Sequence, residues 1–152
     1  MSPSLPEVPY PDGYRSWQHV SSAVQLPKQG AMSSQPEEGK TAAPRGLIFH
    51  IYANEKAVEG YRTGHFPEGA VLVADWFVLE EKNKSLVQGA RRSVDVMVRD
   101  ARYVETGGWG FTKFDQDSHT VRDPVSANPV KSCFECHGHA KNHEYVFSVL
   151  KP

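Results

Sequence analysis

Residues 70 to 80 read Ala-Val-Leu-Val-Ala-Asp-Trp-Phe-Val-Leu-Glu, a run rich in β-branched and aromatic side chains. This composition favours an extended strand. Turn-forming sequences stand at both ends, Pro67-Glu68-Gly69 before the run and Lys82-Asn83-Lys84-Ser85 after it. We therefore predict a long strand over residues 70–80 between two turns.

The segment after this strand alternates between apolar and polar side chains. From 92 to 100 one side carries Val94, Val96 and Val98, and the other carries Ser93, Asp95, Met97 and Arg99. A period of two predicts an antiparallel strand with one buried face. Residues 109–114 repeat the pattern and predict a further strand, and the polar residues 115–129 are expected to form a loop.

Two strands are also predicted upstream. Residues 20–26 and 46–52 are rich in β-forming side chains, and the polar stretch 27–46 is expected to form a loop between them. A short helical turn is expected at 14–19, after an extended N-terminal segment at 1–13 that holds four prolines.

One helix is predicted between the second and third strands. Asn54 suits an N-cap, residues 55–63 follow as the helix, and Gly64 stands where a helix-ending glycine is expected. Its apolar side chains share one face: Ala57, Val58 and Tyr61.

The order of these elements predicts an α+β fold, predominantly an antiparallel β-sheet with a few short helices, in a single domain over residues 1–152. With 39% hydrophobic and 23% charged residues, the composition is that of an ordinary globular protein. The formal net charge of −1 gives no electrostatic reason for a nucleic-acid partner. No apolar run approaches the roughly 18 residues that a membrane span needs.

Both cysteines of the chain lie in Cys133-Phe134-Glu135-Cys136-His137. C-x-x-C-H is the attachment signature of c-type haem, in which the thiols bond to the porphyrin and the histidine offers its imidazole to the iron. A zinc site would need a second ligand pair at matching spacing, and a thioredoxin-like pair would begin a helix after a βαβ pattern. Neither context is present, so the motif predicts one covalently attached haem c with His137 as the iron ligand. Beyond it, residues 143–150 are expected to form a terminal helix or strand.

Haem attachment of this kind takes place outside the bacterial cytoplasm, so an export signal is expected. The first residues have neither the positive region nor the apolar region of such a signal. We therefore expect a periplasmic protein from which the signal has been removed. The alternative is a cytoplasmic protein with a chance motif.

A C-terminal C-x-x-C-H behind an antiparallel sheet resembles the cytochrome P-460 family, which includes the β-type cytochromes c′. The stretches that carry the resemblance, besides the haem motif, are Tyr14-Arg15-Ser16-Trp17, Ile51-Tyr52-Ala53-Asn54, Thr63-Gly64-His65-Phe66-Pro67-Glu68-Gly69-Ala70-Val71-Leu72-Val73 and Gly107-Gly108-Trp109-Gly110-Phe111. The resemblance covers nearly the whole chain.

The resemblance implies a β-sheet homodimer with five-coordinate, high-spin haem c and an open distal face. Some members of the family oxidise hydroxylamine to nitric oxide or nitrous oxide, and they owe this to a lysine bonded covalently to the porphyrin. The β-type cytochromes c′ lack that bond, keep apolar phenylalanines over the iron and bind nitric oxide. A redox partner protein is a further expectation.

At the position of the cross-linking lysine this chain resembles the non-enzymatic members, because Ala74 stands there and alanine cannot form the bond. The nearest downstream lysine, Lys82, lies roughly 26 Å away along an extended strand. Where the enzymatic members carry an arginine this chain has Phe49, which resembles the distal cap of the β-type proteins. Asn128 lies near the position of a polar or acidic distal residue in some members; a turn asparagine before Pro129 is the alternative.

The function predicted is that of a mono-haem c-type cytochrome whose open distal site binds small nitrogen ligands such as nitric oxide. One alternative is a hydroxylamine-oxidising enzyme. The other is a six-coordinate electron-transfer cytochrome in which Met97 or His50 completes the iron. His50 alternates with Phe49, so we expect Phe49 towards the haem and His50 away from it. Met97 is expected to fill space in the core, and Asp75 to face away from Ala74.

Overall fold

The structure is a computed structural model that describes residues 6–27 and 45–121. These residues form one antiparallel sheet in which each strand pairs with the next along the chain. The strands are β1 (Gln18–Gln25), β2 (Leu47–Ala53), β3 (Val71–Lys82), β4 (Ser85–Arg99), β5 (Trp109–Asp115) and β6 (Thr120–Val121). One α-helix, α1 (Glu55–Thr63), and short 3-10 turns at Tyr14–Ser16 and Val104–Thr106 complete the described part. The predicted α+β class with a predominantly antiparallel sheet is confirmed.

Helix α1 has the predicted bounds because its end signals are local. The Asn54 side-chain oxygen accepts hydrogen bonds from the backbone N–H of Ala57 at 2.9 Å and of Val71 at 3.0 Å. Asn54 therefore caps the helix and also fixes it to the start of β3. Gly64 ends the helix with a φ of 84°, a left-handed conformation that favours glycine.

The hairpin of β3 and β4 is longer than the sequence predicts. The predicted turn is present, with Asn83 and Lys84 at φ 52° and 62°, and Lys82 pairs with Ser85. β4 therefore begins at Ser85 instead of residue 92. Its first half is mostly exposed, so it lacks the apolar alternation by which a strand is recognised. The predicted loop at 115–129 is likewise interrupted by the short strand β6.

The sheet is covered on both sides. On one side, called the helix face below, α1 and Phe66 pack on a cluster that includes Leu72, Met97 and Phe111. On the other, called the N-terminal face, residues 6–17 pack on a second cluster of strand residues, Val73, Val94, Val96 and Phe114. The expectation of a single buried face on β4 is therefore wrong, since Met97 is only 6% exposed beneath the helix.

None of the helices in the described part of the chain is long and apolar enough to cross a membrane. The predictions for Asn128, the haem motif at Cys133, Cys136 and His137, and residues 143–150 lie outside the described residues.

Candidate functional site

Phe49 and Ala74, predicted as distal residues from two separate strands, lie on the same face of the sheet. Phe49 pairs with Trp76 and Ile51 pairs with Ala74, so Phe49 and Ala74 are diagonal neighbours on the helix face. The rings of Phe49 and Trp76 pack with centroids 4.3 Å apart and planes tilted by 32°. We call Phe49, Ile51, Ala74 and Trp76 the apolar patch. All four side chains are half-buried.

Helix α1 leaves room beside the patch because it packs on the neighbouring row of the sheet. That row reads Ala53, Leu72, Met97 and Phe111 across four strands. Met97 thus fills the core beneath α1, as predicted, and is not a side chain of the patch. Ala74 is an interior residue of β3, which continues to Lys82.

A polar row continues the patch across the sheet. Ala74 pairs with Asp95, which pairs in turn with Lys113. The Lys113 Nζ lies 3.2 Å from one Asp95 oxygen, and the hydroxyl of Ser93 donates to the other at 2.8 Å. The side chains of Asp95 and Lys113 are each 27% exposed. A carboxylate with both oxygens engaged therefore stands directly beside Ala74.

The sequence alone does not identify Asp95 and Lys113 as site residues. Alternation along the strand predicts Asp95 on its polar, solvated side, together with Ser93. Only the register across β3, β4 and β5 shows that this side is the one that also carries Ala74. One feature of the sequence could have identified Asp95. It is two residues from Met97, so the two side chains share a face of β4.

Trp76 brings an unusual polar atom to the patch. Its indole nitrogen is buried and has no hydrogen-bond acceptor among the residues that the structure describes. A buried donor without an acceptor costs about 1–3 kcal/mol. The exposed part of the patch is therefore apolar, and the unmatched donor lies beneath its surface.

The reverse side of the same strand is held by a buried ion pair. Asp75 is 1% exposed on the N-terminal face, opposite Ala74 as the alternation predicts. It accepts hydrogen bonds from Arg91 Nε at 2.7 Å and from the Tyr14 hydroxyl at 2.8 Å. Arg91 also binds Asp117 in the turn before β6. Burial, and then the hydrogen bond to Asp75, raise the pKa of Tyr14 above its usual value.

His50 faces away from Phe49, as predicted. Its Nδ1 lies 2.7 Å from the hydroxyl of Ser22, and its Nε2 lies 2.8 Å from the side-chain oxygen of Gln88. Ser22 is also 2.8 Å from Nε2 of His19. Both ring nitrogens of His50 are thus engaged on the side opposite the patch, so this histidine is not placed to bind an iron held against Phe49.

The family to which the chain belongs follows from comparison with family models. The model for cytochrome P460 matches residues 11–148, which include every element described above and the C-x-x-C-H motif. The chain belongs to the cytochrome P460 family. Among curated proteins, no sequence matches it.

Membership in the cytochrome P460 family makes the chain a haem-binding cytochrome, and the apolar patch suits that cofactor. A haem is flat and largely hydrocarbon, and the patch presents two packed aromatic rings and two aliphatic side chains on a sheet surface. The apolar lining of the patch therefore fits the group.

Proposed function

We propose that this chain is a mono-haem c-type cytochrome with an open distal site that binds small nitrogen ligands such as nitric oxide, like the β-type cytochromes c′. Cys133 and Cys136 hold the haem covalently, and His137 is the proximal ligand. The proposal rests on one observation: Phe49 pairs with Trp76 next to Ala74. The Ala74 side chain has no amine that could bond to the porphyrin.

The haem, when bound, supplies an iron that coordinates the ligand, and the chain decides which ligands reach it. A phenyl ring at Phe49 offers no hydrogen bond, so an anionic ligand would lose its hydration without compensation. A neutral diatomic ligand loses little. Because Phe49 packs against Trp76, its ring is held in place before any ligand arrives.

The cellular setting proposed is the periplasm, since covalent haem attachment is completed outside the cytoplasm. We propose a homodimer and a redox partner protein on the strength of the family resemblance alone. Neither proposal depends on the geometry of the patch.

Absorption spectra and nitric oxide kinetics test the proposal. The ferric and ferrous forms are expected to be high-spin, and nitric oxide is expected to shift both spectra. The Phe49→Ala variant should change the association or dissociation rate of nitric oxide by about tenfold, which corresponds to about 1.4 kcal/mol. Tyr61→Ala is the matched control, because it removes a half-buried ring from α1 and leaves the patch intact. A low-spin spectrum that does not respond to nitric oxide would contradict the proposal.

A second candidate function, hydroxylamine oxidation, is favoured by the polar row beside the patch. Hydroxylamine loses protons as well as electrons when it is oxidised, and Asp95 stands next to Ala74 as a proton acceptor. Along the sequence, Lys82 is the nearest lysine downstream of Ala74. Across the sheet, however, Lys113 lies two strands from Ala74 on the same face, about 10 Å away at the usual strand spacing.

Peptide mapping by mass spectrometry separates the two functions. The first function predicts a haem peptide joined to the chain only through Cys133 and Cys136. A peptide containing Lys113 joined to the porphyrin, together with turnover of hydroxylamine that falls in Asp95→Asn, would establish the second function instead.

A further inference from the structure

We propose that His19 and His50 together bind a divalent transition-metal ion, with copper(II) bound most strongly. The two histidines lie on the N-terminal face, where β1 at the edge of the described sheet pairs with β2. The apolar patch lies on the other face. The inference therefore does not depend on the proposed function.

The first ground is that the two imidazoles converge on one atom. The Nε2 of His19 lies 2.8 Å, and the Nδ1 of His50 lies 2.7 Å, from the hydroxyl oxygen of Ser22. A bond from zinc to imidazole nitrogen is about 2.0–2.1 Å long, so an ion in the place of the hydroxyl requires each nitrogen to approach by less than about 1 Å. Ser22 is exposed, so its side chain can turn into solvent and vacate that place.

The second ground is a β-bulge that brings His19 beside His50. His19 and Ser22 are three residues apart, so in a regular strand their side chains would point to opposite faces of the sheet. The register of β1 on β2 shifts between His19 and Ser21, and Val20 packs into the cluster of the helix face. The extra residue turns His19 to the face that carries Ser22 and His50.

The third ground is that neighbouring side chains orient both rings. The Nε2 of His50 lies 2.8 Å from the side-chain oxygen of Gln88. Because that oxygen accepts, Nε2 carries the proton and Nδ1 keeps its lone pair, as in most metal-binding histidines. Tyr52 packs edge-on against His19, with ring centroids 5.9 Å apart. His19 is exposed, so its proton can move to Nδ1 through water and leave Nε2 free to bind.

The donor set selects the kind of ion. The part of the chain that the structure describes holds no group of three or more histidine, cysteine, aspartate or glutamate side chains that could bind a metal. The pair therefore supplies two bonds, and water supplies the others. Imidazole suits zinc, nickel and copper, and the affinity of such sites is highest for copper(II). Calcium and magnesium prefer oxygen ligands and are not expected to bind.

Isothermal titration calorimetry of the ferric holoprotein with copper(II) chloride tests the inference, at about pH 7.5, where imidazole is mostly neutral. His19→Gln and His50→Gln should each weaken this binding by at least about tenfold, and Gln88→Ala, which frees the His50 ring, by about tenfold. Two controls should bind copper(II) as the wild type does. His65→Gln removes an exposed histidine between α1 and β3, and Ser22→Ala keeps both imidazoles.

Electron paramagnetic resonance identifies the ligands directly. With one equivalent of copper(II), the wild type should show splitting from two imidazole nitrogens, and each histidine variant from one fewer. Equal copper(II) affinity in the wild type and both folded histidine variants overturns the inference. A loss in Ser22→Ala as large as that in His50→Gln also overturns it, because two imidazoles would then not suffice.

Discussion

At the scale of single residues, Gly60 explains how α1 can lie close to the sheet. A Cβ built on Gly60 would lie 2.2 Å from a ring carbon of Phe66, which is far inside van der Waals contact. Phe66 in turn packs edge-on against Trp109, with ring centroids 5.5 Å apart. A glycine inside a helix is normally unfavourable, so its presence here reflects the ring that occupies the place of its side chain.

Gly60→Ala is therefore expected to destabilise the fold, although alanine is the better helix former. Helix propensity would add about 1 kcal/mol of stability, and overpacking against Phe66 should remove about 1–3 kcal/mol. Chemical denaturation monitored by circular dichroism measures the net change. Glu59→Ala, on the exposed side of α1, is the control and should change stability by less than about 0.5 kcal/mol. A more stable Gly60→Ala variant would show that Phe66 moves aside at no cost.

At the scale of secondary-structure elements, local signals predicted the helix and missed the extent of the sheet. The bounds of α1 follow from Asn54 and Gly64, which act within a few residues of themselves. The start of β4 at Ser85 depends instead on pairing with the exposed end of β3, where no apolar pattern marks a strand. Long-range pairing is a property of two segments together, so neither segment alone contains the signal.

The candidate site also has features that the sequence predicts and features that it does not. Alternation within β2 and β3 predicted that Phe49 and His50 would separate and that Asp75 would face away from Ala74. The neighbours across the sheet, Asp95 and Lys113, required the register of three strands and were not predicted. The face of the sheet that each side chain of a strand occupies can thus be predicted from sequence. The side chains that lie next to it on neighbouring strands cannot.

At the scale of the whole molecule, the buried carboxylate of Asp75 joins parts of the chain that are distant in sequence. Tyr14 reaches it from the N-terminal segment, and Arg91 reaches it from β4 while also binding Asp117 near β6. The N-terminal segment is therefore held on this face of the sheet by a hydrogen bond to an ion-paired carboxylate as well as by apolar contacts. Because Asp75 directly follows Ala74 in β3, this joint also holds the strand from which the apolar patch is built.

Tyr14→Phe is expected to lower the free energy of unfolding by an amount that depends on pH. The variant keeps the ring and loses the hydrogen bond to Asp75, which should cost roughly 1–3 kcal/mol at neutral pH. In the folded protein, burial and that hydrogen bond raise the pKa of Tyr14, whereas in the unfolded chain the phenol ionises near pH 10. The stabilisation is therefore fully present below about pH 10 and is lost as the pH rises from there towards the folded pKa.

Urea denaturation between about pH 7 and 11 measures this effect. The gap in unfolding free energy between wild type and variant should narrow above about pH 10. Tyr52→Phe, a substitution on the same face that leaves the Asp75 hydrogen bonds in place, should remain parallel to wild type. A gap for Tyr14→Phe that stays constant over the whole range would mean that its phenol is not held by Asp75.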